Sequence, residues 1–426
     1  MEVARKFADL YVIGTGDYLN LIAEPVSVMK KWQVFDRAIL IGIKPIPKIE
    51  FNNVFDDIII RDPPNQNLSE IINANYQLGK AENPLVLLSH SNDLHTPDAL
   101  EILKNSVSNP AVMIEKPYFV NKQQMSNLGD LISDSPKDLF LLEYYMSIKG
   151  LPLILADGLV KNESFYFDGD SGCGIGNGVL TVKNNTNSDF KIADFSGILP
   201  EILGTPLQVI SEVLEGEGSY GSVDHRSDSL IDYRKGGGMI FDLGLHAIAP
   251  ILPLENIVGS ITGVNDVKKA WCNEYIKLSK ERKIPIDNVA ESYAEIELVT
   301  DIGVPIKVFL GKYVNGFNQR RIIITGTRGI IHYDLTENIL SFVKRDHLDE
   351  NPQLIGEKRK LPKYLAVLLS GISYLEGSNP FKFDPISAMY KGQKLMLDAS
   401  EKEPSQKEYY VVNSPHDKIF CAGKKQ

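Results

Sequence analysis

Cysteine is scarce in this chain: three occur in 426 residues, Cys173, Cys272 and Cys421, far apart and without CxxC spacing. That excludes a disulfide framework and a cysteine-built zinc site, and it fits a reducing compartment. Positive charge is short as well. With 45 Lys and Arg against 55 Asp and Glu, the net charge is −10, so no basic face is on offer to a phosphate backbone and nucleic acid is not an expected partner. Long apolar runs are missing too. No uninterrupted apolar stretch reaches about 18 residues, and the opening MEVARKFADLYVIGTG carries an apolar run too short for a secretory signal. A cytoplasmic protein with no membrane partner is expected. No internal repeat and no low-complexity segment is visible.

What is present is ordinary globular material, 43% hydrophobic and 23% charged, long enough for about two or three domains. The first 120 residues alternate short, continuous apolar runs with amphipathic stretches. LYVIG (10–14), AILIGI (38–43), DIII (57–60), LVLLS (85–89) and AVMIE (111–115) are the runs expected of strands covered on both faces. DLHTPDALEILKNS between them predicts a helix with a Thr or Asp cap. Strand and helix in alternation predict an α/β fold with a doubly wound parallel sheet. After about residue 160 the pattern changes. LQVISEVLEGEG, ESYAEIELVTDIGVPIKVFLGKY, RRIIITGTRGIIHYDLT and ILSFVKRD, with the earlier ESFYFDG and GVLTVKN, predict a large, mostly antiparallel sheet with one open face. A last helix over about 384–400 and a polar, loosely held tail complete the chain.

Three stretches carry chemistry. In VIGTGDYLN, Gly14, Thr15 and Gly16 follow the first predicted strand, where backbone amides at a helix N-terminus can meet a dinucleotide pyrophosphate. The third glycine position holds Leu19, and Pro25 is expected to interrupt or delay the helix. GCGIGNG (172–178) sits in hairpin-like sequence and is expected to be a loop. In MIEKPY, Lys116 ends a buried strand, and ligands of such sheets bind beyond the carboxyl ends. In RKGGGMIFDLGLHAI, a helix hydrophobic nearly all round carries one acid and one imidazole, Asp242 and His246, on the same face. Buried there, the two must satisfy each other, bind something or do chemistry. A zinc site would need a third ligand that the sequence does not indicate, so no metal is expected.

Taken in order and spacing, the glycine turn, LVLLSHSNDLHTPDALEILKN (85–105), EKP (115–117), GGGMIFDLGLH (236–246) and ITGTRGIIHYD (324–334) resemble the Gfo/Idh/MocA family of NAD(P)-dependent oxidoreductases. The resemblance implies a dinucleotide-binding Rossmann domain over 1–120. It also implies an α/β substrate-binding and oligomerisation domain over 121–426, whose final helix, about 384–400, is expected to pack back on the first. It places Lys116 beside nicotinamide and the substrate hydroxyl, and makes Asp242 the orienting acid and His246 the proton donor or acceptor. Gly14, Thr15, Gly16, Lys44, His90, Asn92, His95 and Glu115 fall to the cofactor side, and Tyr144, Tyr145, Lys149, Arg234 and Lys235 to the substrate side. A histidine poised by a carboxylate and a lysine suits the proton transfer that must accompany hydride transfer at a secondary alcohol. No acid follows the second strand, where Lys44 and Lys48 stand instead, which leans toward NADP over NAD. Residues 150–196 read as an insertion. The expected function is hydride transfer to or from a hydroxyl or carbonyl carbon of a sugar, sugar nucleotide or polyol-like compound. The expected assembly is a homodimer or homotetramer through the second sheet. The alternatives are a non-catalytic dinucleotide-binding regulator or scaffold, and an NAD-dependent glycoside hydrolase of the same fold.

Overall fold

The computed structural model describes residues 7–14, 16–43, 51, 53–62, 66–77, 83–143, 181–183, 189–191, 203–215, 230–312, 318–336, 339–344, 353–356, 363–377 and 383–410. The chain forms two compact units, Met1–Ile148 with Lys360–Tyr390, and Lys149–Arg359 with Lys391–Gln426. The first unit therefore runs beyond residue 120 and takes back a late segment of the chain.

The first unit is built on β1 (Asp9–Ile13), β2 (Arg37–Gly42), β3 (Asp57–Ile60), β4 (Leu85–Leu88), β5 (Ala111–Glu115) and β6 (Leu139–Leu142). All pairings are parallel, in the order β3-β2-β1-β4-β5-β6. The five expected runs are its first five strands. The sixth, LFLL, is a short run past the expected boundary. Every residue of β1, β4 and β6 is buried, whereas edge strand β3 is partly open, as strands flanked by helices require. Those helices are α1 (Asp17–Lys31), α2 (Leu68–Gln77), α3 (His95–Asn105) and α4 (Lys122–Asp134). Two expectations need correction. Pro25 lies inside α1 without ending it: the buried stripe Leu19, Ile22, Val26 and Met29 holds the helix down, and the carbonyl that loses its donor belongs to Leu21, on the exposed side. And α3 has no Thr or Asp cap; Leu94 is its N-cap, with no side-chain bond. The late helix Lys363–Leu375 joins this unit through aromatic contacts, Tyr364 on Tyr18 and Tyr374 on Phe140, with ring centroids 5.4 and 5.3 Å apart.

The second unit holds an 11-stranded sheet. Its strands are β7 (Thr181–Lys183), β8 (Asp189–Lys191), β9 (Pro206–Glu215), β10 (Ile261–Cys272), β11 (Tyr293–Thr300), β12 (Ile306–Lys312), β13 (Gln319–Gly326), β14 (Gly329–Asp334), β15 (Ile339–Lys344), β16 (Gln353–Gly356) and β17 (Gln406–Tyr410). The order is β17-β10-β11-β12-β9-β13-β14-β15-β16-β7-β8, antiparallel except that β12 pairs with β9, and β10 with β17, in parallel. The tail is thus not loose where it is described: Gln406–Tyr410 adds an edge strand beside Lys268–Cys272. Side chains alternate as a one-sided sheet requires. In β12, Ile306, Val308 and Leu310 are buried while Lys307 and Phe309 are half-buried. Helix α5 (Met239–Ile248) packs on the buried face, and Ser211 Oγ of β9 donates to the Ala247 carbonyl at 2.7 Å. Met239–Val258 has the length and apolar content of a membrane span, but 72% of its most apolar 18-residue stretch is buried inside the fold. The first six residues of the final helix, Pro385–Glu401, count with the first unit and the rest with the second.

Candidate active site

In the first unit the strand order reverses between β1 and β4, and the loops leaving their carboxyl ends define the rim where an open α/β sheet binds ligands. Gly14 leaves β1 at φ 127°, its N–H bonded to the Ile41 carbonyl at 2.9 Å. A Cβ there would stand 2.7 Å from the Ser89 carbonyl oxygen, so only glycine lets the exits of β1 and β4 come this close. Gly16 is the N-cap of α1, with no side-chain cap and open space where a Cβ would point. Leu19, at the third glycine position, is buried in the core. Thr15 and Lys44 lie outside the described residues.

The loop after β4 is knitted inward. His90 Nε2 bonds Asp98 Oδ2 at 2.6 Å, and Arg61 Nη1 reaches the same oxygen at 3.3 Å. Burial pushes the Asp98 carboxyl up, but the His90 hydrogen bond and the neighbouring His90 and Arg61 charges outweigh it and hold it below the usual carboxylate range. The His90 ring stacks on His95, centroids 5.3 Å apart. Burial, helped by the His90 charge, pushes His95 down to about 3. It is therefore neutral at pH 7, and its Nδ1–H donates to the Pro117 carbonyl at 2.8 Å. Thr96 Oγ1 donates to the Tyr118 carbonyl at 2.6 Å, and the Tyr118 hydroxyl to the Leu142 carbonyl at 2.8 Å.

These bonds fix the backbone on the C-terminal side of Lys116, which is half-buried at the end of β5 and joined to Pro117 by a cis peptide. Glu115, also half-buried, sits among tyrosines. Burial and then the Glu115 charge raise Tyr18; burial, the Glu143 charge and the Glu115 charge raise Tyr118. Asn92 begins a short 3-10 turn, Asn92–Leu94, ahead of α3. Of the described cofactor-side residues, His95 is buried at 1% exposure and Gly14 is buried as well, while His90, Asn92 and Glu115 are half-buried.

In the second unit the approach to α5 is a 3-10 turn, Tyr233–Lys235, followed by the three glycines. Arg234 is exposed and forks onto Asp232, Nε to Oδ1 at 3.0 Å and Nη2 to Oδ2 at 2.8 Å. Burial raises the Asp232 carboxyl, and the Arg234 hydrogen bonds overcome that and lower it. Lys235 is half-buried beside it. Gly238, the N-cap, takes φ 98°, and a Cβ on it would meet the Glu291 carboxylate at 2.5 Å. That room lets Glu291 Oε1 accept from the Ile240 N–H at 2.9 Å and cap the helix. Burial pushes the Glu291 carboxyl up against the opposing pull of Lys269 and the backbone donors.

Helix α5 then buries Met239, Ile240, Phe241, Leu243, Gly244, Leu245, Ala247 and Ile248. Its two remaining positions are Asp242 and His246, both half-buried. The acid and imidazole expected to lie away from water instead occupy the helix's one open stripe. Spacing of four puts them on one face, Cβ atoms about 5–6 Å apart. Asp242 also has a partner the sequence did not suggest: Lys312 Nζ donates to Asp242 Oδ2 and stands 3.8 Å from Glu215 Oε2. Arg320 Nη2 donates to Glu215 Oε1 at 2.6 Å. One signal pointed there. Lys312 falls where the alternation Ile306, Val308, Leu310 asks for another apolar side chain. No comparable signal marks Arg61 or Asp98. Tyr144, Tyr145 and Lys149, the 172–178 glycine cluster and nearly all of the 150–196 insertion lie outside the described residues. No group of three His, Cys, Asp or Glu side chains among the described residues could hold a metal ion.

No family model and no curated protein matches the chain. Solved structures do. KijD10, a 3-ketoreductase from Actinomadura kijaniata solved with NADP and TDP-benzene, matches at TM-score 0.60 and 12% identity over 95% of this chain and 99% of that one. Biliverdin reductase from Synechocystis, with biliverdin and NADP+, gives 0.60 at 14% identity over 92% and 98%. Levoglucosan dehydrogenase, with NADH and levoglucosan, gives 0.59 at 12% over 92% and 96%. The chain has their fold. At this identity the likeness is one of architecture, and it joins the two-sheet plan described above to proteins solved with nicotinamide cofactors.

Proposed function

We propose that this protein is an NAD(P)-dependent oxidoreductase acting on a hydroxyl or carbonyl carbon of a carbohydrate-like substrate, a sugar, sugar nucleotide or polyol. The observation that carries this reading is α5, a buried helix whose only two open positions are a carboxylate and an imidazole one turn apart. Apolar packing does not account for the imidazole, and a carboxylate beside an imidazole is a pair that proton transfer at a carbinol can use.

The nicotinamide cofactor fits the first unit's rim on two features of the chain. Among the described residues, Gly16 leaves open space at an α1 N-terminus that no side chain caps, and His90 Nδ1 is buried there without a hydrogen-bond partner. Gly14, Gly16, His90, Asn92 and Glu115 would hold it, with Thr15 and Lys44 as further contacts from the sequence. Bound, the cofactor supplies or accepts the hydride. The chain's own groups do the rest. Lys116, held by the His95 and Thr96 bonds to its neighbours' carbonyls, stabilises the substrate oxygen. His246 takes or returns the hydroxyl proton at a ring nitrogen, and Asp242 orients the imidazole and offsets its positive charge when it is protonated. Arg234 and Lys235, with Tyr144, Tyr145 and Lys149, are proposed substrate contacts. Of the three structures named above, two contain NADP and one NADH, and with the Lys44 argument this favours NADP. Assembly through the open face of the second sheet, where Ile210, Phe309 and Ile323 are half-buried, and a cytoplasmic setting are part of the same proposal; a monomeric mass by light scattering would remove the assembly.

The test is a panel of sugars and polyols read by absorbance of the reduced cofactor, with Lys116→Ala, His246→Ala and the double variant. Groups that serve one step lose much less together than the sum of their separate losses. Undiminished turnover in both single variants would discard the assignment. A second reading, a dinucleotide-binding sensor that does not turn over, is favoured by Leu19 buried at the third glycine position. It predicts a melting shift with cofactor, about 2.7 kcal/mol at 100 times the dissociation constant, and no reaction with any panel member.

A further inference from the structure

Beyond the Asp242–His246 pair, the covered face of the second sheet carries an alternating row of charges that core packing does not ask for. Arg320 of β13 bonds Glu215 of β9, Glu215 stands 3.8 Å from Lys312 of β12, and Lys312 bonds Asp242 of α5. The register brings the middle pair together, since Lys312 and Glu215 are direct partners across the parallel ladder. The Lys312 side chain is 9% exposed and that of Glu215 5%, whereas Asp242 at the far end is 20% exposed. The Arg320 side chain, at the other end, is 17% exposed, so the row is buried in its middle and reaches the open stripe of α5 at Asp242. A buried ammonium is costly without partners, and replacing such a network by apolar groups is often neutral or stabilising. Stability alone is therefore a poor account of it.

We propose that Lys312 is a positioning residue for the reaction: it grips Asp242 through Oδ2, sets the carboxylate's orientation on the helix, and so controls the field that His246 feels one turn away. The proposal rests on the oxidoreductase reading, in which His246 moves the substrate proton. Among the described residues, the charged groups linked to Asp242 or to the helix N-terminus include Lys312 from β12, Glu215 from β9, Arg320 from β13 behind it and Glu291, and the final helix that packs on α5 carries Lys391, Lys394 and Asp398.

Two variants push His246 in opposite directions. Lys312→Met removes a positive charge, so the acidic limb of the kcat/KM pH profile is expected to move up by about half a unit or more, with kcat lowered about tenfold or more and the cofactor KM unchanged. Glu215→Gln removes a negative charge and is expected to move the limb down. Lys312→Arg, which keeps the charge and a donor, is expected to restore most of kcat. A purely structural lysine would lower the melting temperature and leave the limb where it was, and that result overturns the proposal. The His246 titration is also read by NMR in cofactor-free protein labelled at histidine, with His246→Ala to assign the signal. If no substrate turns over, the oxidoreductase reading fails by itself, and the NMR midpoint still decides this one: opposite shifts in the two variants support it, and a fixed midpoint in Lys312→Met or, should that variant not fold, in Glu215→Gln overturns it.

Discussion

Two polar clusters, one at the rim of the first sheet and one on α5 of the second unit, are built in opposite ways. At the rim of the first sheet, His95, Thr96 and Asp98 turn inward. They spend their hydrogen bonds on the Pro117 carbonyl, the Tyr118 carbonyl and His90. On α5 of the second unit, Asp242 and His246 are the two positions left open on a buried helix. Both clusters contain a histidine near a carboxylate, yet His95 is buried in the fold while His246 is half-open on its helix. His95, neutral with a titration pushed down to about 3 and its Nδ1–H committed to Pro117, is scaffolding for Lys116. His246 is half-buried on the open stripe of α5, and in the proposed reaction it is the group that moves the proton. A histidine's surroundings, more than its presence in a motif, decide which role it can take.

The comparison can be broken most directly by removing the two imidazoles in turn. His246→Ala is expected to lower turnover about 10²- to 10⁴-fold with little change in melting temperature, both measured on one preparation. Should His95→Gln lower turnover as far with the fold intact, the division between scaffold and reacting group is wrong. Next in size is Gly14→Ala, which adds a Cβ 2.7 Å from the Ser89 carbonyl at φ 127°. A loss of about 2 kcal/mol or more in urea unfolding is expected, whereas Gly16→Ala, with open space, is expected to keep its stability and weaken only cofactor binding in a titration.

Acid sharpens the contrast further. His95 takes up a proton far more readily unfolded, near the ordinary 6.5, than folded, near 3. The stability it contributes is therefore complete above about pH 6.5 and drains away as pH falls toward 3. Asp98, held below its ordinary value, loses its contribution in the same direction at low pH. The unfolding midpoint is expected to fall across that window, and more gently in His95→Gln; identical slopes would show that the buried ring does not govern acid stability. The smallest effect is expected at Arg234. Arg234→Ala removes an exposed fork on Asp232, and cofactor affinity by fluorescence is expected to stay unchanged while the substrate KM rises. A changed cofactor affinity would move Arg234 to the other side of the reaction.

Much of this was visible in the chain. Five continuous apolar runs became the first five strands because a parallel sheet covered on both faces needs unbroken burial, and the spacing from Gly236 to His246 marked a glycine-led helix with its acid and imidazole on one face, though not that this face is the open one. Less visible was whatever depends on weak local signals. LFLL is too short a run to announce β6. Gln406–Tyr410 is polar, as an edge strand can be, and nothing local says that it pairs with Lys268–Cys272. Pro25 reads as a helix breaker until the buried stripe of α1 is known.

By itself, the sequence determined which segments become strands and helices and which face of each is apolar, since periodicity and burial are local properties of the chain. Tertiary structure alone decided that Asp98 holds His90 with Arg61, and that a lysine 70 residues from Asp242 takes its carboxylate. Charge partners are chosen by distance in space. No pattern in the chain encodes that distance until strands from remote segments have come into register.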